Sequence, residues 1–141
     1  MISGFFNPSW GPHPWLVMTV VVAEFGPRAG QVPFIVDTGA TASVIHATDA
    51  IYLFGRSDTD LDSSNWTDPK SVRGVGGSLL VKESTATFAF RHDDGTIDSI
   101  RATVLIGDMR SVGLPSLLGR DLLRLFRLEI HGDETVVLHR L

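Results

Sequence analysis

Cysteine is absent from the 141 residues, and with it go disulfide cross-links, thiolate nucleophiles and Cys-ligated zinc. No apolar run approaches the roughly 20 residues that a membrane-spanning helix needs. Basic residues are scattered and outnumbered, 12 Lys and Arg against 16 Asp and Glu, which makes nucleic acid or an anionic membrane surface a poor partner. The five histidines, His13, His46, His92, His131 and His139, show no close metal-binding spacing. They read as surface residues, although His131 and His139 can meet across the last hairpin. No metal and no cofactor is expected. Met1 to Trp15 has no basic segment leading into an apolar core, and Pro8, Pro12 and Pro14 interrupt it. It does not read as a secretion signal, and a cytoplasmic setting is the expectation.

One further absence matters more. The stretch Phe34-Ile35-Val36-Asp37-Thr38-Gly39-Ala40 has no second copy in the chain. An apolar, β-branched run there delivers one carboxylate onto a Thr-Gly turn. A carboxylate at the end of a buried strand is costly unless something nearby uses it. If Asp37 works as an acid or base with a second carboxylate, the partner acid comes from another copy of the chain.

The length suits one domain, spanning residues 15–141 behind an irregular N-terminal arm at 1–14. In that arm Phe5, Phe6 and Trp10 cover an exposed edge of the core or, alternatively, lie along a partner subunit. Residues 15–23 and 31–36 are rich in β-branched side chains and flank a glycine-bearing loop, the pattern of a hairpin. Residues 46–53 read as a short helix ended by Gly55, and 56–69 as a polar loop. Within Ser78 to Phe90, Ala86, Phe88 and Phe90 share one face, as in a half-buried strand. Asp93-Asp94-Gly95 is a hairpin turn. An amphipathic helix is expected after Gly119, with Arg120, Arg124 and Arg127 on one side and Leu118, Leu122, Leu125 and Phe126 on the other. A final hairpin runs from Leu128 to Leu138.

Three signals follow in order: apolar-Asp37-Thr38-Gly39-Ala40, then Gly74-Val75-Gly76-Gly77 between two strands, then Leu117-Leu118-Gly119-Arg120-Asp121-Leu122-Leu123. In this order they resemble the retropepsin-like aspartic proteases, single-lobe homodimeric relatives of pepsin, over about residues 15–141. The resemblance implies a mainly β fold, a closed, barrel-like acid-protease lobe with one or two short helices and a flap hairpin. It implies an aspartic endopeptidase in which Asp37, Thr38 and Gly39 form the catalytic turn. Ala40 and the flap residues Gly74, Val75, Gly76 and Gly77 would lie against a peptide or protein substrate. The Thr38 hydroxyl would hydrogen-bond across the dimer axis. Leu117-Leu118-Gly119 would pack beneath the catalytic loop, where glycine leaves room for a crossing backbone.

Three departures qualify the likeness. Ala40 stands as in the retroviral enzymes, where pepsin-like lobes carry serine; one fewer hydrogen bond to the carboxylate favours activity closer to neutral pH than pepsin's. Thr41 replaces the aspartate that pairs with the arginine of the Gly-Arg motif, leaving Arg120 without that partner. The terminal hairpin is absent from viral enzymes and matches cellular members, where it is expected to build much of the dimer sheet. The alternatives are a catalytically weak or inactive dimeric peptide-binding scaffold on this fold, a hydrolase specialised for one partner or for its own N-terminal arm, and an unrelated β-barrel binding protein.

Overall fold

Alternation of apolar and polar side chains dominates this chain, and sheet dominates its structure. The structure, a computed structural model, describes residues 1–74 and 77–141. Within them lie ten strands and two α-helices: β1 (Ile2–Phe6), β2 (Pro14–Val22), β3 (Ala29–Val36), β4 (Val44–Ile45), α1 (Ala47–Phe54), β5 (Lys70–Gly74), β6 (Gly77–Arg91), β7 (Ile97–Gly107), β8 (Ser116–Leu118), α2 (Arg120–Leu123), β9 (Phe126–Ile130) and β10 (Val136–Arg140). The fold is mainly β.

Six strands close a ring. From β2 the order passes to β3, β8, β4, β7 and β6, and β6 pairs back onto β2. The β3–β8 and β4–β7 pairs are parallel and the others antiparallel. Closure depends on β2 dividing one edge between two neighbours. Thr19 to Val22 pair with β6, while Pro14 and Trp15 pair with β1. The β1 side continues outward through β10 to β9.

Inside the ring the period of two holds. Leu16, Met18, Val20 and Val22 of β2 are buried, as are Val32, Phe34 and Val36 of β3 and Val104 and Ile106 of β7. Ala86, Phe88 and Phe90 of β6 form the buried face expected of them, with the Phe34 and Phe88 rings 6.1 Å apart. The short helix expected at 46–53 is α1, whose C-cap is Gly55. The hairpins expected from the sequence around residues 24–30, at 93–95 and at the C-terminus are all present.

Two expectations need correction. The stretch 1–14 is irregular only in part, because residues 2–6 form β1. Ile2, Ser3 and Gly4 face Leu138, Val137 and Val136 of β10, and Phe5 and Phe6 face Trp15 and Pro14. The segment is tied further to the β6–β7 turn, where Asp93 donates its N–H to Met1 O at 2.7 Å and accepts the Ser3 hydroxyl at 2.8 Å. Proline content hid a strand whose partners lie at the far end of the chain. The second correction concerns the helix after Gly119. Only Arg120–Leu123 is helical, and the chain enters β9 at Phe126. Leu118 belongs to β8, so the arginines do not share one helical face. Tertiary pairing overrides the helical period: Phe126 faces Arg140 across the β9–β10 ladder and packs edge-on against Phe90 at 5.3 Å.

The arms of the expected flap are β5 and β6, paired from Lys70↔Val81 to Gly74↔Gly77. Val75 and Gly76 lie outside the described residues.

Candidate active site

The last ladder bond of β3 places the carboxylate. Asp37 donates its N–H to Leu118 O at 3.0 Å, extending the parallel β3–β8 pairing one residue beyond Val36. The chain then turns. Asp37 Oδ1 accepts the Gly39 N–H at 2.9 Å, and Ala40 donates its N–H to Asp37 O at 3.2 Å. Asp37 and Ala40 are half-buried, while Thr38 and Gly39 are exposed. A Cβ at Gly39 would stand 3.2 Å from Asp37 Oδ1, tight rather than excluded.

Exclusion applies at Gly119. A Cβ there would come within 2.6 Å of both C and O of Ala42 and 3.0 Å of Ala40 O. These are backbone atoms of the Asp37 loop, so Gly119 packs directly against that loop. At φ −95 any residue can adopt the conformation, and the demand for glycine is purely steric. Gly119→Ala is expected to destabilise the protein by about 3 kcal/mol, since backbone must move to admit the methyl. Urea unfolding checks this, and a change below about 0.5 kcal/mol would contradict it.

Two residues that sequence reasoning did not single out for the site hold the loop from behind. Asp121 Oδ1 accepts the Ser43 hydroxyl at 2.7 Å and the Leu122 N–H at 2.8 Å, and Oδ2 accepts the Ser43 N–H at 3.0 Å. The Ser43 hydroxyl in turn accepts the Gly119 N–H at 2.9 Å. Arg120 and Asp121 also donate their N–H groups to Ala40 O and Thr41 O, at 2.9 and 3.3 Å. The bond of Asp121 to Leu122 lies at the start of α2, while its reach to Ser43 spans 78 positions and no local signal marks it. Ser43→Ala would leave the Gly119 N–H buried without an acceptor and remove a donor from Asp121. A loss of about 1–3 kcal/mol is expected in the same unfolding measurement; wild-type stability would show that the clamp contributes nothing.

Arg120 reaches Thr41, Nη2 donating to Oγ1 at 3.4 Å. Behind the loop, Ser116 accepts the His46 N–H at 3.1 Å and donates its hydroxyl to Asp49 Oδ2. His46, expected at the surface, is instead buried, 5% exposed at the entry to α1, and its Nδ1 has no hydrogen-bond partner among the described residues. Burial lowers its pKa from 6.5 to about 4. Asp49 is shifted the other way, raised by burial against the opposing pull of the Ser116 hydrogen bond.

A cavity of about 430 Å³ adjoins this region, with Trp15, Ile35, Asp49 and Leu114 on its walls. Ile35 precedes Asp37 by two residues, so the cavity and the carboxylate are neighbours along β3. Trp66 closes the 56–69 loop, donating its indole N–H to Asp60 O at 3.0 Å under the Lys82 ammonium. His131 and His139 do come together, each with Nε2 3.2 Å from the Glu129 carboxylate. Among the described residues, no three His, Cys, Asp or Glu side chains are placed to hold a metal ion, and no helix is long and apolar enough to cross a membrane.

Chemically, the Asp37 loop offers a half-buried carboxylate, aimed by a backbone N–H and held in place by α2 and Gly119. Compared with known proteins, the chain matches no family model and no curated protein.

Proposed function

We propose that the chain is an aspartic endopeptidase of the retropepsin-like kind, working as a homodimer with one composite site. The observation that carries this reading is the single Asp37 carboxylate on a Thr-Gly turn, backed by the close crossing of Gly119 under the Asp37 loop. Two Asp37 side chains, one per subunit, would share one proton, because like charges that close cannot both ionise. That coupling is the general behaviour of aspartic-protease dyads and is carried over here from the resemblance. One carboxylate takes a proton from the water between them as that water attacks the scissile carbonyl. The other gives the shared proton to the carbonyl oxygen. The first then passes the proton it took to the leaving nitrogen as the C–N bond breaks, and the second recovers a proton from a hydroxyl of the tetrahedral intermediate. No covalent intermediate forms. The peptide lies extended beneath the β5–β6 hairpins and bonds through its backbone, as in strand addition.

The test is cleavage of an unfolded polypeptide by purified protein, with and without Asp37→Asn. Cleavage that disappears in the variant supports the reading, and equal cleavage by both rejects it. If the wild-type protein binds peptide and never cuts it, the fold serves as a dimeric peptide-binding scaffold instead.

A further inference from the structure

The cavity beside the Asp37 loop holds an unusual mixture of chemistry. Its walls include Trp10 and Trp15, edge to face with centroids 5.2 Å apart, together with Ile35 and Leu114. Into that apolar setting α1 brings one carboxylate, Asp49; His13 also lines the cavity and is exposed. Asp49 accepts the Ser116 hydroxyl, but the ion pairs found among the described residues do not include it. Burial raises its pKa, the mark of an anion partly stripped of water without a counter-charge. Trp15 is 7% exposed, and its indole N–H is buried with no acceptor.

An unpaired anion in an aromatic cavity suits a ligand with a cation on an apolar stem. A lysine or arginine residue within an extended peptide supplies both. We infer that this cavity is the subsite for a Lys or Arg side chain of the peptide substrate, with Asp49 taking the charge and the two tryptophans the methylene stem. The inference deepens the proposed function and rests on it. Ile35 places the cavity roughly 7 Å along the strand from Asp37, so the basic residue would sit close to the bond cut.

Binding to Asp37→Asn protein tests this without turnover, followed by tryptophan fluorescence at about pH 8, where histidines are neutral. The probes are octapeptides in which one lysine, or its uncharged isostere norleucine, is moved through every position. The best lysine peptide should bind roughly tenfold or more tightly than its norleucine counterpart, the scale of a charge-assisted hydrogen bond. In Asp37→Asn/Asp49→Asn protein that advantage should vanish while norleucine affinity holds; asparagine keeps an acceptor for Ser116. Equal affinities in every pair, no binding at all, or a lysine preference that survives loss of Asp49 overturns the inference. The protease reading fails separately, if wild-type protein binds the best lysine peptide and leaves it uncut.

Discussion

Asp37→Asn should lower the turnover rate by a factor on the order of 10²–10⁴, the range of positioned acid–base catalysis, with little change in stability. Asparagine retains an Oδ1 that can accept the Gly39 N–H, so the bond that orients the side chain at 2.9 Å survives. What is lost is the charge and the shared proton. A composite site makes a second demand that an ordinary active site does not. When equal amounts of wild-type and Asp37→Asn subunits exchange freely, only wild-type pairs carry both acids. Activity should then fall to about a quarter of that of the same total amount of wild-type protein. Activity proportional to the wild-type fraction, at about one half, would show that each subunit works alone.

Acid should weaken the fold through His46. In the unfolded chain its imidazole takes up a proton near pH 6.5, whereas burial keeps it neutral in the folded protein down to about 4. Between those values the unfolded state binds more protons, so stability falls as pH falls. The contribution is complete above pH 6.5 and lost by about pH 4, and amounts to about 3 kcal/mol. Asp49, raised by burial, binds its proton more readily folded than unfolded and offsets part of this loss toward the acid end. Urea unfolding of wild-type and His46→Asn proteins across that range isolates the effect, because asparagine does not titrate. The stability difference between them should change by about 3 kcal/mol; a difference independent of pH would refute the assignment. This bears on function, since Ala40 already favours a dyad active nearer neutrality than pepsin's. A rate maximum near pH 3 would contradict the argument from Ala40.

What could be read from the sequence depended on how local its cause was. The β2–β3 hairpin, α1 with its glycine cap and the buried Ala86, Phe88 and Phe90 face follow from periodicity and turn chemistry within a dozen residues. The crowding at Gly119 was legible for a different reason: a motif placed it, and steric necessity at 2.6 Å explains the residue. The misses were all long-range. Phe126 carries a helical spacing, yet it joins β9 because Phe90 and Arg140 meet it there. Ser43 and Asp121 are unremarkable polar residues until the fold brings 78 positions of chain together. β1 was concealed because both of its neighbours, β2 and β10, had to exist before it could be a strand.

That placement of β1 governs what trimming of the N-terminus would do. A cut between Phe6 and Pro14 would sever the connection but leave residues 2–6 seated in their slot, held by ladder bonds to β10 and β2 and by the bonds of Met1 and Ser3 to Asp93. A covalent strap would become an exchangeable strand. Any extended peptide of similar pattern, including the same segment from another copy, can compete for the vacated position.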